Sequence, residues 1–301
     1  VTSGCVLPLW GLPFESGDSL LLSDAEHPGV VAACQELARR QGLSISWFSA
    51  RDCRSDQAVL ESLEAALEPS TRLVVLSHLL WNSGLAMPIE AVADRLKQHP
   101  RQPWLLVDAA QSMGSLELGS VPNAADIYAF TGHKWCCGPE GLGGVALSER
   151  VLEQSQPTVI GWRSLRNENS SGSQWHHDGR RFEVATSCIP LGAGLRSSLD
   201  LLEQLGNAQK RETLICERSA RLWNGLQQIP AVQTVVQEAP PASGLVSFTI
   251  EHIAAPEAVS ALANQNFQLR SLEDPLCLRA CTHVFSTDAE IDQLLQAIAQ
   301  L

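Results

Sequence analysis

What the sequence lacks narrows the field first. No block of Lys or Arg interrupts a chain in which 33 acidic residues outnumber 21 basic ones, giving a formal charge of -12. Nucleic acids and anionic membrane surfaces both need clustered cations, so neither is expected as a partner. No stretch approaches the roughly 18 uninterrupted apolar residues that a membrane span requires. The opening VTSGCVLPLWGLPFESGD has no basic n-region, no cleavage-like end and no initiator methionine. It reads as the middle of a domain rather than a signal peptide, with the expectation that an N-terminal segment precedes it. No CxxC pair occurs among the nine cysteines. Their odd number and their scatter fit reduced thiols in a cytoplasmic protein better than a disulfide scaffold. Neither the vicinal Cys136–Cys137 nor the isolated CxxxC of Cys277 and Cys281 has zinc-site spacing, so no metal is expected. Repeats and low-complexity tracts are also missing.

What is present is an alternation. The 301 residues are 45% hydrophobic, enough for one large domain or two smaller ones. SLLLSD, LSISWFSA, TRLVVLSH, PWLLVDAAQS, DIYAFTGHK and GLGGVALS read as strands. Between the earlier ones lie helical stretches: HPGVVAACQELARRQG with a stop at Gly42, SDQAVLESLEAALE with a Ser cap, and MPIEAVADRLKQH with Pro88 near its first turn. Strands alternating with helices imply an α/β fold with a mostly parallel sheet covered on both faces. After Pro190 the texture changes to two long helices, then short strands around APEAVSALANQ, then a closing helix. The division expected is a large domain over 1–193 and a smaller α+β domain over 194–301. NENSSGSQWHHDGRR reads as a polar loop, either mobile or a lid.

In open α/β sheets, ligands bind beyond the carboxyl ends of strands. Two such ends carry reactive groups: LLVDAAQ places Asp108 there, and YAFTGHK places Thr131, His133 and Lys134. Each also has an ordinary reading, Asp108 as a turn or N-cap residue and Lys134 as a solvated lysine. Taken together they fit a lysine that forms an imine with pyridoxal phosphate and a carboxylate that pairs with its pyridine nitrogen. The glycines of GPEGLGG lack the G-K-[ST] of a P-loop and precede a strand rather than a helix. Gly141, Gly143 and Gly144 are therefore read as backbone turning beside the lysine.

LSHLLWNSGLAMPIEAVA, LLVDAAQSMGSLEL and DIYAFTGHKWCCGPEGLGGVAL resemble the class V aminotransferases, the pyridoxal-phosphate group that includes cysteine desulfurases. The hallmark is a strand ending D-x-A-Q, then S/T-x-H-K followed by G-P-x-G-x-G. SDAEHPG, SHLLWN, FTGHKW, VIGWRS and RRFEVATS are most similar to the cysteine/cystine C–S lyases of that group. The resemblance implies a fold type I aminotransferase-like large domain. It implies Lys134 as the Schiff-base lysine, Asp108 at the pyridine nitrogen, Gln111 and Asn82 near the ring hydroxyl, and His27 stacked on the ring. Thr131 and His133 would contact the phosphate, with Thr2, Ser3 and Gly4 offering a helix start to it. Thr186 would reach the phosphate of a neighbouring subunit, which implies a homodimer. Arg279 would clamp the substrate carboxylate, with Arg270 and Trp162 as further pocket candidates. On the residues alone, His27 reads first as a turn or cap residue, Arg279 as a solvated strand residue and Trp162 as core packing.

Surrounding groups decide which bond a pyridoxal enzyme breaks. The resemblance places a desulfurase's nucleophilic cysteine on a mobile loop between the strands holding the positions of Arg270 and Arg279. Here SLEDPLCL is too short for that loop, and Cys277 and Cys281 are read as structural. The expectation is α,β-elimination of L-cysteine or L-cystine to pyruvate, ammonia and sulfide or persulfide. The alternatives are a cysteine desulfurase giving alanine and a protein persulfide, and a non-catalytic binding subunit. Iron–sulfur assembly acceptors are candidate partners for the released sulfur.

Overall fold

The computed structural model describes residues 1–167 and 174–301. Part of the polar loop read as mobile or as a lid, 168–173, lies outside the described residues. Along the chain come α1 (Thr2–Leu9), β1 (Ser19–Ser23), α2 (Pro28–Gln41), β2 (Ser44–Phe48), α3 (Asp56–Ala66), β3 (Thr71–Ser77) and α4 (Ile89–Gln98). Then follow β4 (Trp104–Asp108), a one-turn α5 (Val121–Ala124), β5 (Ile127–Thr131), β6 (Gly143–Leu147) and α6 (Glu149–Gln154). The rest comprises α7 (Ile189–Gln204), α8 (Ala208–Leu226), β7 (Val232–Thr234), β8 (Leu245–Ile250), α9 (Ala255–Ala263), β9 (Arg270–Glu273), β10 (Leu276–Cys281) and α10 (Asp288–Ile298). Among the described residues, no helix is long and apolar enough to cross a membrane.

The first six strands form one sheet in the order β2-β1-β3-β4-β5-β6. All neighbours are parallel except β5 and β6, which run antiparallel from Ile127↔Leu147 to Thr131↔Gly143. Every residue of β1 and of β4 is buried, as expected of strands covered on both faces. Leu20 and Leu22 of β1, Leu73 and Val75 of β3 and Leu106 of β4 share one face, against Cys5 and Leu9 of α1 and Leu37 of α2. Each such fully buried side chain contributes about 1.5–3 kcal/mol. The helices start and stop where local chemistry dictates. Ser55 caps α3 by accepting from Ala58 N at 3.2 Å, and Gly42 ends α2 in the left-handed conformation, φ 69°.

The second sheet is antiparallel throughout, in the order β7-β8-β10-β9. Its core gathers Val246 and Phe248 of β8, Leu278 of β10, Leu222 of α8 and Ile291 of α10. The chain forms two compact units. One comprises Val1–His78, Met87–Met113 and Leu118–Asp200; the other comprises Leu79–Ala86, Gly114–Glu117 and Leu201–Leu301. The 193/194 division read from the sequence and this 200/201 division both fall inside α7. The two short excursions at 79–86 and 114–117 carry no compositional signal.

Candidate active site

Asp108 ends β4, flanked by β3 and β5, and is 5% exposed. Its Oδ1 accepts from Ala110 N at 2.8 Å, and its carbonyl accepts from His78 N at 3.0 Å. Burial pushes the Asp108 carboxyl up; the Ala110 N–H and the charges of Lys134 and His27 pull it back down. Burial outweighs these opposing influences, and the carboxyl stays above its usual range. Lys134 sits half-buried in a tight turn past β5, in which Cys137 N donates to Lys134 O at 2.9 Å and Gly138 N to Gly132 O at 2.8 Å. The buried Trp135 beside it donates from Nε1 to Gln111 Oε1 at 2.9 Å. That bond ties the loop after β4 to the loop after β5 and fixes the Gln111 amide. His27 caps α2, with Nδ1 accepting from Gly29 N at 3.1 Å, so a neutral ring carries its proton on Nε2.

Thr2, Ser3, Gly4, Thr131 and His133 line one cavity of about 370 Å³. Thr2, Ser3 and Gly4 form the first turn of α1 rather than its cap, which is Val1. First-turn N–H groups have no partner within their helix and sit at its positive end, so they suit an anion such as phosphate. Thr131 Oγ1 and His133 Nδ1 lie 2.7 Å apart on the other side. The glycines of the same cavity serve the backbone. A Cβ on Gly143 would stand 2.2 Å from Phe130 O, and one on Gly144 would stand 2.6 Å from the Phe130 ring. Gly141 takes φ 82°.

Asn82 and Arg279 belong to the second unit. Arg279 is 7% exposed and donates from Nη1 to Trp81 O at 2.6 Å. Its Nε is buried without a hydrogen-bond partner among the described residues, and so is Oδ1 of the 1%-exposed Asn82. Orphaned polar atoms at such depth point to a ligand or water, and a buried guanidinium calls for an anion. Arg270, in register with Arg279, is exposed.

The thiols divide. β9 and β10 form a hairpin whose last pair is Glu273↔Leu276, so only Asp274 and Pro275 lie between the strands. Cys277 is fully buried, and burial pushes its thiol up to about 11, offset in part by Ser247 and the Arg279 charge. Cys281, expected to be structural like Cys277, is instead exposed at the end of β10. Cys136 packs behind the lysine turn, its Sγ 3.7 Å from Met113 O, whereas Cys137 is at the surface with φ 53°. Trp162 is 54% exposed and lines a separate depression with Arg163, Arg166 and Arg180. Thr186 is exposed and is not among the residues lining the phosphate-side cavity.

Two buried networks beneath the site escaped the sequence reading. His78 Nδ1 lies 2.9 Å from Tyr128 OH, which lies 3.1 Å from Ser112 Oγ. Burial drives His78 down to about 4 and Tyr128 up to about 12, so both stay neutral. The one signal available was that Tyr128 is the single tyrosine of the chain. The second network is centred on Glu26, the acid preceding His27, whose carboxyl engages Ser23 and Ser77.

The pattern of the Aminotransferase class-V family matches residues 4–294. A cysteine desulfurase of Haloferax volcanii is 26% identical over 303 residues, covering 96% of this chain and 69% of the relative. The structure of the cystine C–S lyase C-DES with its reaction product cysteine persulfide is 41% identical with a TM-score of 0.94, covering 100% of this chain and 80% of that one. A lysine-to-alanine mutant of C-DES, with glycine covalently linked to the pyridoxal phosphate cofactor, gives 40% identity and a TM-score of 0.95, covering 100% and 79%.

Proposed function

Because this chain belongs to the Aminotransferase class-V family, we propose that its pyridoxal-phosphate-dependent C–S lyase chemistry is the α,β-elimination of L-cysteine or L-cystine. The products are pyruvate and ammonia with sulfide from cysteine, or with persulfide from cystine. The cofactor, when bound, supplies an electron sink for the charge left when the amino acid loses its Cα proton. The residues present fit it: a helix start and Thr131 and His133 lining one cavity, a buried acid that the Lys134 charge acts on, and an Asn82 amide oxygen buried with no partner among the described residues.

Lys134 is the group that holds the cofactor covalently, and its Nζ takes up the Cα proton. Asp108 is the acid paired with the pyridine nitrogen, and His27 presents its ring face. Thr2, Ser3, Gly4, Thr131 and His133 hold the phosphate; Gln111 and Asn82 serve the ring hydroxyl. Arg279 receives the substrate carboxylate in two-pronged fashion, with Arg270 and Trp162 as outer candidates. Sulfur then leaves from Cβ, and the β9–β10 turn offers it no thiol. The observation carrying this choice is the β9–β10 hairpin, whose two-residue turn has no cysteine. The thiol beside it, Cys277, is buried and protonated at neutral pH. A desulfurase needs a reachable thiolate.

The working form is a cytoplasmic homodimer. Val145, Val159, Ile160 and Ile189 are 36–76% exposed, apolar surface that a second copy would cover, and Thr186 then reaches the partner's cofactor phosphate. Incubation of the protein and its Lys134→Ala variant with L-cystine tests the reading. Pyruvate should exceed alanine, and the variant should lose turnover by several orders of magnitude. Equal activity in the variant would sink the mechanism.

A further inference from the structure

We propose that Glu26 is a positioning residue of the cofactor site: its buried carboxyl fastens the carboxyl ends of β1 and β3 together and so fixes His27 and Asp108 toward one bound ring. The proposal rests on the reading that this site takes pyridoxal phosphate. Glu26 is 7% exposed. Its Oε1 accepts from Ser23 Oγ at 2.6 Å and from Ser77 N at 2.8 Å, and its Oε2 accepts from Ser77 Oγ at 2.8 Å. Ser23 and Ser77 are the last residues of their strands, and the β1–β3 ladder reaches only Leu22↔Val75. Past that pair the side chain of Glu26 takes over from the backbone in holding the two ends.

Both ends of this clasp lead to cofactor residues. Ser77 stands in register with Asp108, and the next residue, His78, donates from its N–H to the Asp108 carbonyl. On the other side, His27 follows Glu26 directly and begins α2. A shift of the clasp would therefore move the ring-stacking imidazole relative to the pyridine-side acid. Such outer partners hold ligand-binding groups to tenths of an ångström, and their loss is felt in affinity.

The clasp is also electrostatic. The titratable groups acting on Glu26 are Asp108 on β4, Cys5 on α1 and Cys34 on α2. Burial pushes both thiols up, so they stay neutral. Burial is also the main cause that raises Glu26 to about 7, with Asp108 adding to it. Asp108 is itself pushed up by burial, with the Ala110 N–H, Lys134 and His27 opposing that, so the two buried acids disfavour each other's charge. As pH rises through about 7, Glu26 ionises and adds negative charge beside the pyridine-side acid.

The test is titration of pyridoxal phosphate into cofactor-free full-length chain across pH 5.5–8.5, for wild type, Glu26→Gln and Ser77→Ala, each with a thermal melt. Glu26→Gln should weaken cofactor binding on the order of tenfold and remove the inflection near pH 7, at a melting temperature close to wild type at pH 5.5. Ser77→Ala should weaken binding similarly, and the double variant should be no worse than either single one. Should Glu26→Gln not fold, Ser77→Ala alone decides. Wild-type affinity and pH profile in the folded variants would overturn the proposal. A wild-type chain that binds no pyridoxal phosphate would overturn the cofactor reading itself, a separate and recognisable outcome.

Discussion

Replacing Cys277 by alanine separates elimination from desulfuration. Cys277 lies on β10, fully buried, opposite Leu272 of β9. With its thiol pushed up to about 11, about one molecule in 10⁴ carries the thiolate at pH 7. A persulfide-forming nucleophile with so small a reactive fraction and no exposed surface would contribute nothing to turnover. Under elimination, Cys277→Ala therefore changes kcat and kcat/KM for L-cystine by less than about twofold. What it costs is packing: loss of one buried heavy atom is worth about 1 kcal/mol. For a chain of this size that lowers the melting temperature by roughly 2–4 °C. The assay is coupled reduction of pyruvate, with alanine quantified in the same samples and a thermal melt alongside. A loss of activity of 100-fold or more with so small a melting shift would refute the reasoning. So would alanine as the main product of the wild type.

Stability and substrate binding give two more tests. Glu26 has its folded-state value raised from 4.5 to about 7, so the folded state holds a proton that the unfolded chain has released. Its contribution is fully present below pH 4.5 and is lost as pH rises through 7. The difference is about 3 kcal/mol, and urea unfolding of Glu26→Gln should lack this slope. Arg279→Lys cannot reproduce a two-pronged carboxylate contact together with the bond to Trp81 O. KM for the amino acid should rise about 10–100-fold with a smaller fall in kcat, and an unchanged KM would remove Arg279 from the substrate site.

The placement of Asp108 and Lys134 was legible because it is local. D-x-A-Q and H-K each stand at the end of a strand whose own sequence announces it, and the fold delivers Asp108 and Lys134 to neighbouring strand ends. Less legible was anything set by long-range packing. Glu26 reads as an ordinary acid in a turn, and its weight comes from Ser77, 51 residues away. α1 was implied only by resemblance: its eight residues include Pro8, and its burial comes from packing of Gly4 onto β5, where a Cβ would stand 3.2 Å from Ala129 Cβ. Cys281 misled for a related reason. The CxxxC spacing on a strand puts Cys277 and Cys281 on one face, but Cys281 sits at the strand's end, where cover runs out.

Under the proposed elimination, the choice between the two sulfur chemistries turns on an element of small thermodynamic weight. Lengthening the two-residue turn after Glu273 to eight residues is two doublings, which costs roughly 1.2 kcal/mol in closure entropy. Against a domain stability of about 5–15 kcal/mol, folding does not forbid it. Yet such a loop could carry a tip residue up to about 13 Å from the hairpin, whereas a two-residue turn reaches about 3 Å. The short turn therefore matters through reach rather than through stability. Asp108 and Glu26 are the reverse case: both are buried, and moving either disturbs hydrogen bonds at the sheet's carboxyl end. Inserting a cysteine-bearing loop between Glu273 and Leu276 should thus leave the cofactor groups intact while giving the departing sulfur a protein acceptor.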